Sequence, residues 1–367
     1  MLRLETLDEI FQEIYKMKII VDINHPTHVH LFKNFVWEME RKGHKVLITA
    51  SEKEMSYKLL DLYGFHYIRL GRYGVSLTEK LMKMPVLDFK MYNAVKSFRP
   101  DIFIGVSSIR NAHVSKLMGK SCIALDDTEH AIWGRILYLP FTNVVLTPSC
   151  FKKDLGKKQI RYNGYKELAY LHPKYFKPDS SVLDKLGLGK NERFIVLRFV
   201  SWDAIHDLGQ CGIENRIDFV RKLEKYGRVL ITSEGTLEKA LEKNRITLSP
   251  EKFHDLLWYA TLYLGEGATI ATESAILGTP SIYISSLAGT MGNFDELEQK
   301  YGLIYSFASS DDALKKATEL LQIPNVKEDW RMKRDIMLRD KIDVTEFMVW
   351  FIENYLKRFE GLRDAKN

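Results

Sequence analysis

Three short segments carry residue types able to do chemistry, and each begins where an apolar run ends. The first is DINHPTHVHLF, residues 22–32, where His25, His28 and His30 fall within six residues beside Asp22 and Asn24. An imidazole titrating near pH 6.5 suits proton transfer at neutral pH, so a histidine of this segment could act as a general base, with Asn24, His25 and His28 at a strand end where ligands gather. A metal site from Asp22 and the three histidines would need convergent side chains. His28 and His30, two apart at a helix start, do not share a face, and no metal is expected. Asn24, Pro26 and Thr27 could simply form a turn and cap, but three histidines exceed what capping needs.

The second segment is SCIALDDTEHA, residues 121–131, with Asp126, Asp127, Glu129 and His130 directly after an apolar run. Clustered carboxylates could orient a hydroxyl or serve as acid and base. Asp126–Thr128 could equally cap the next helix. The third is LGEGATIATESAILGTPSIYI, residues 264–284. Gly265 and Gly267 permit a tight turn, and a helix beginning near Ala268 offers unpaired N–H groups and the positive end of its dipole. That combination suits a pyrophosphate, with a hydroxyl added by Thr269. Glu273, about 6 Å further along the helix axis, could accept two hydrogen bonds from a ribose. A plain strand–turn–helix with a capping threonine is the alternative. Further cleft candidates are Arg198, Ser201 and His206 in the loop 198–213, and Asn293 in the glycine-containing segment 285–303. Residues 76–99 mix Lys and Arg with Met, Leu and Phe, as a membrane-surface patch or an ordinary amphipathic helix would.

These segments need a scaffold, and the chain supplies one by alternation. From Lys18, short Val/Ile/Leu-rich runs (KIIVDI, HKVLITA, FHYIRL, PDIFIGV, SCIALDD, NVVLTPS) alternate with helical stretches at about 29–42, 52–63 and 87–98. Continuous apolar strands separated by helices signal a parallel sheet covered on both faces. Residues 163–181 are aromatic, proline-containing and aperiodic, and read as a linker. A second alternating series follows: RFIVLRF, GRVLITS, TLYLGEG and PSIYIS, with helices near 215–226, 237–243, 253–260, 269–277, 311–322 and 345–359. The expected plan is α/β, with two doubly wound parallel-sheet domains and a cleft between them. Residues 1–16 form a leading helix, 17–165 the first domain, 166–181 the linker and 182–340 the second domain. Residues 341–367 form a terminal helix that can return to the first domain.

Composition narrows the class. The 367 residues are 46% hydrophobic and 28% charged, which excludes a disordered or low-complexity chain. No run approaches the ~20 apolar residues of a membrane span. Cys122, Cys150 and Cys211 are scattered, giving neither a disulfide framework nor a CxxC pair, as suits a reducing cytoplasm. The net charge of +6 permits acidic partners without selecting them.

NHPTHVH, LDDTEHA, RFVSWDAIHDLG, GEGATIATESAILGTP and ELEQKYGL together resemble an archaeal and bacterial family of unknown function, domain of unknown function 354. That family is in turn similar to GT-B glycosyltransferases and the UDP-N-acetylglucosamine 2-epimerase group. The resemblance implies a GT-B fold and metal-independent transfer of a sugar from a nucleotide diphosphate, UDP foremost, with the nucleotide sugar as substrate and no cofactor. The alternative is an epimerase or hydrolase acting on that nucleotide sugar. Alignment with the glycosyltransferases that complete the lipid-linked peptidoglycan precursor implies His28 as base, with Asp126 and Asp127 on the acceptor side. It also implies the 267–270 backbone on the diphosphate and Glu273 on the ribose. This chain departs from them at Asn24–Thr27, where they have glycines, and the histidine-arginine-glutamate-asparagine signature of the epimerases is absent from 198–213. The expected partners are the nucleotide-sugar donor and an unidentified acceptor, lipid-linked at the furthest. The setting is the cytoplasm, reaching at most to peripheral contact at the inner membrane surface, with no nucleic acid.

Overall fold

The structure is a computed structural model describing residues 16–72, 74, 77–189, 191–200, 213, 215–233 and 235–364. The leading segment, with its expected helix, lies outside the described residues up to position 15.

Seven strands form the first sheet: β1 (Lys18–Ile23), β2 (Lys45–Ser51), β3 (Tyr67–Gly71), β4 (Ile102–Val106), β5 (Ser121–Leu125), β6 (Val144–Pro148) and β7 (Gln159–Tyr162). Their order is β3-β2-β1-β4-β5-β6-β7 and every pairing is parallel. Five more form the second: β8 (Phe194–Phe199), β9 (Arg228–Ser233), β10 (Leu262–Gly265), β11 (Ser281–Ile284) and β12 (Ile304–Phe307), in the parallel order β12-β11-β10-β8-β9. Central strands such as Ile19–Val21 and Ile195–Leu197 are fully buried, which is why they read as unbroken apolar runs. The strands missed by pattern are the edge strands β7 and β12. Their residues are partly exposed and mixed in character, so an apolar run is not required there.

Each sheet has one point where the strand order reverses, and loops leaving neighbouring strands diverge there to open a crevice. In the first sheet it lies between β1 and β4, and in the second between β8 and β10. His25 and His28 follow β1, while Arg198 lies on β8 and Gly265–Gly267 close β10.

Several helices differ from expectation, and the stretch near 237–243 is a 3₁₀ run at Lys239–Asn244. Residues Leu77–Val95 form one helix that carries Pro85 in its interior, where the pattern had begun it after the proline. Val326–Asp340 is also helical. It buries the narrow stripe Val326, Trp330, Arg334 and Met337 amid charged residues, too thin a signal for periodicity to reveal.

The connector between the sheets is not loose. Leu168–Leu171 forms a short, wholly buried helix. The Ala169 carbonyl accepts hydrogen bonds from Asn34 Nδ2 and Thr345 Oγ1, both at 2.8 Å. Those two donors come from helix Pro26–Arg41 of the first domain and the terminal helix Val344–Asp364. The terminal helix lies against the Pro26 helix, and Glu353 meets Lys42 and His44 at 2.9 and 3.2 Å.

Candidate active site

The first cluster forms where β1 ends. Asp22 is fully buried, with Arg110 Nη2 2.8 Å from Oδ1, Ser108 Oγ 2.5 Å from Oδ2 and Thr49 Oγ1 2.7 Å from Oδ1. That carboxylate is committed to locking β1, β2 and the loop after β4 together. Asn24 leads out of the strand and His25 caps the Pro26 helix, accepting from Thr27 N; Pro26 occupies the first turn, where no amide donor is needed. His25 and His28 ring centroids are 5.7 Å apart. His28 is half-buried, and its Nδ1 is buried with no partner among the described residues. Burial, reinforced by His25 and by the cations of Lys166 and Lys53, holds the His28 imidazole well below its ordinary pKa. Burial and the same two lysines bring His25 down to about 3. Both rings are therefore neutral bases at pH 7. His30 turns away, stacked on Tyr170 with Nδ1 3.1 Å from the Tyr63 hydroxyl. Among the described residues, no three His, Cys, Asp or Glu side chains gather as metal ligands.

The loop after β5 divides into different roles. Asp126 accepts from Arg135 Nε at 3.1 Å, the Tyr138 hydroxyl at 2.5 Å and Thr128 N at 3.0 Å, so it is tied into its own domain; it does not cap the next helix, which follows Ala131 with no side-chain cap among the described residues. Asp127 instead meets Lys166 Nζ at 2.5 Å, and Lys166 also lies 3.8 Å from Glu167. Burial opposes the Lys166 charge, but Asp127 and Glu167 outweigh it and raise its pKa. Burial, with Asp127 nearby, raises the Glu167 carboxyl against the pull of Lys166. His130 is exposed and takes no part in this cluster.

Glu129 is 4% exposed and faces the other domain. Its Oε1 accepts from Gly292 N at 2.9 Å and Lys152 N at 3.2 Å, while Oε2 has no partner among the described residues. A Cβ on Gly292 would stand 1.8 Å from the Cys150 carbonyl oxygen, so glycine alone allows this approach. Asn293 follows directly, its Oδ1 buried and likewise unpartnered among the described residues.

In the second domain, a Cβ at Gly265 would stand 2.5 Å from the Tyr263 hydroxyl, and Gly267 lies against the Arg198 side chain. Helix Ala268–Leu277 starts after Gly267. No side chain caps it and no acidic residue occupies its first turn among the described residues, while residues 267–270, Thr269 included, are half-buried. That end of the helix therefore carries the positive pole of its dipole with no side-chain cap among the described residues. Between the two glycines, Glu266 is buried and accepts from Val200 N at 2.8 Å and Ile213 N at 2.7 Å. Glu273, 3% exposed, takes the Tyr170 hydroxyl at 2.7 Å and His254 Nε2 at 3.1 Å, both on Oε1. Ser201 and His206 lie outside the described residues.

The two domains meet at the Gly292 contact and at a second cluster around Glu273. His30 of the Pro26 helix packs on Tyr170 and His254, which hold Glu273 of the Ala268 helix. Lys166 feels the charge of Glu273 on one side and lowers the pKa of His28 on the other. Lys166, Glu167, Tyr170, His254 and Glu266 were not singled out from sequence. The first three lie in the segment read as linker, where the apolar Leu168, Ala169 and Leu171 were the available signal of a buried turn. A groove of about 500 Å³ lined by Arg41, Lys174 and Trp350 contains none of the site residues, and its charges are largely paired with one another.

Two doubly wound parallel-sheet domains, each presenting polar residues at its switch point, define the GT-B class of fold. Over residues 17–357 the chain matches the family described as "Protein of unknown function (DUF354)", and it belongs to that family. It is 24% identical over 356 residues to the uncharacterized protein MJ0665 of Methanocaldococcus jannaschii, covering 93% of this chain and 99% of that one. Among solved structures it is similar to S. aureus MnaA with UDP (TM-score 0.69, 13% identity, 93% and 97% of the two chains). It is similar as well to the UDP-GlcNAc 2-epimerase from Neisseria meningitidis bound to UDP-GlcNAc (TM-score 0.66, 14% identity, 93% and 100%). The forosaminyltransferase SpnP matches at TM-score 0.62 and 12% identity, over 94% and 99%. At such identities these likenesses establish the fold. No helix among the described residues is long and apolar enough to cross a membrane.

Proposed function

We propose that this protein transfers a sugar from a nucleotide diphosphate, UDP foremost, to an acceptor hydroxyl, without a metal. The observation that carries the reading is the junction itself. Among the described residues, a neutral histidine with an unpartnered buried nitrogen lies on one domain, and an uncapped helix end followed by a fixed carboxylate lies on the other. His28 takes the acceptor proton, the acceptor oxygen bonds to the anomeric carbon, and the bond from that carbon to the β-phosphate oxygen breaks. The Ala268 helix end receives the departing diphosphate, a preorganised dipole where charge develops. Glu273 takes ribose hydroxyls. Lys166, paired with Asp127, is near enough to His28 to lower its pKa and would serve the acceptor side, while Glu129 accepts from the Gly292 amide across the domain contact.

His28→Ala should abolish turnover while sparing nucleotide binding, and Glu273→Ala should weaken binding of UDP in calorimetry. Unchanged UDP affinity in Glu273→Ala would sink the ribose assignment. A second reading, an epimerase or hydrolase of the nucleotide sugar, is favoured by the Asp127–Lys166–Glu167 set beside His28. The 2-epimerase neighbour also supports it. Mass analysis of UDP-N-acetylglucosamine incubated without acceptor separates the two, since release of UDP with a free 2-epimer favours the second.

A further inference from the structure

We infer that Tyr170 and His254 are positioning residues that hold the Glu273 carboxylate in the orientation from which it takes a ribose, and that His30 braces them from the first domain. This rests on the assignment of Glu273 to the ribose and extends it to residues that do not touch the ligand. Two donors meet Glu273 on Oε1: the Tyr170 hydroxyl at 2.7 Å and His254 Nε2 at 3.1 Å. A carboxylate is acceptor-only, with two oxygens and about four lone-pair sites, so His254 donates through Nε2 and Oε2 keeps its capacity for hydroxyl donors.

Neither donor comes from the helix that carries Glu273. Tyr170 lies on the connector helix Leu168–Leu171, and His254 lies on helix Phe253–Tyr259. Their rings are 5.3 Å apart, and the His30 ring stacks on Tyr170 at 5.5 Å and meets His254 edge-on at 4.7 Å. His30 is two residues beyond His28 on the same helix, so the brace of the ribose carboxylate and the proposed base share one rigid element. A glutamate has several free rotamers. Fixing it before the ligand arrives removes that ordering cost from binding. Packing does not require this arrangement, because buried charged groups often contribute no more stability than apolar residues of the same volume.

The test compares UDP with 2′-deoxy-UDP by calorimetry in wild type, Tyr170→Phe, His254→Leu and His254→Gln. Wild type should prefer UDP by about tenfold or more, as for a hydrogen bond to a charged acceptor. Tyr170→Phe keeps the ring and its packing, and His254→Leu removes the donor. In both, the preference should fall below about threefold while 2′-deoxy-UDP binds as in wild type. His254→Gln retains an N–H donor and should retain the preference. Tyr170→Phe and His254→Leu keeping the full preference, His254→Gln losing it, or variants weakening both nucleotides equally as a structural role would, each overturn the inference. Should His254→Leu fail to fold, Tyr170→Phe and His254→Gln still decide it. Wild type without any preference refutes the ribose assignment itself, and this inference falls with it.

Discussion

Glu266→Gln isolates one anchoring contact of the second domain. Both carboxylate oxygens of Glu266 accept backbone amides, Val200 N at 2.8 Å and Ile213 N at 2.7 Å, so the side chain pins both ends of the segment between β8 and residue 213 to the glycine turn. Glutamine keeps one acceptor oxygen and turns an NH2 toward the other amide, leaving a buried donor facing a donor. A hydrogen bond to a charged group contributes about 1.5–3 kcal/mol, and a stranded buried donor costs about 1–3 kcal/mol. A local loss of about 2–3 kcal/mol follows, or about 30- to 150-fold, since each 1.4 kcal/mol is tenfold. Native-state hydrogen exchange should therefore accelerate by that factor at Val200 or Ile213. The urea midpoint should fall as well, with Glu266→Ala costing about twice as much because it strands both amides. UDP affinity should also drop, since Glu266 lies between the glycines that set the Ala268 helix start. Wild-type exchange at both amides together with an unchanged urea midpoint would refute the reasoning.

Two other perturbations test the junction. Gly292→Ala places a Cβ 1.8 Å from the Cys150 carbonyl oxygen, so the backbone contact between the domains must open. Overpacking of this kind costs about 1–3 kcal/mol, and small-angle scattering should show a larger radius together with a lower melting temperature; identical curves would contradict it. Acid should weaken the fold through its histidines. Burial first, then neighbouring cations or histidines, depress His25 to about 3 and push His28 and His30 well below 6.5. As pH falls below 6.5 the unfolded chain binds these protons before the folded one. The stabilisation is thus present above the unfolded pKa and is lost on acidification, at up to about 1.4 kcal/mol per pH unit per histidine. Urea midpoints across pH 7.5 to 5 measure the slope, and His30→Gln should reduce it by one histidine's share; an unaltered slope in that variant contradicts the assignment.

Much of the scaffold is legible in the sequence. Ile19–Val21 and Ile195–Leu197 are buried on both faces, so covering a parallel sheet forces them to be apolar and the strands announce themselves. The edge strand Gln159–Tyr162 has no such requirement and left no run. His28 and Gly267 were visible because ligands gather at the carboxyl ends of strands, and both lie just beyond such an end.

Partnership was not legible. Asp126 and Asp127 are adjacent and chemically identical, yet one is bound by Arg135 and Tyr138 while the other meets Lys166. Tyr170 lies 103 positions from the Glu273 that it holds, within a stretch whose aperiodicity suggested a linker. Local pattern encodes which face of an element is buried, because a strand or helix repeats every few residues and the core demands apolar side chains at that period. It carries no record of which distant element will lie opposite. The alternating sequence therefore specified two doubly wound halves with polar residues at their switch points. The close approach at Gly292 and the His30–Tyr170–His254 ring cluster arose when the halves packed, because they are contacts between distant elements that no local period records.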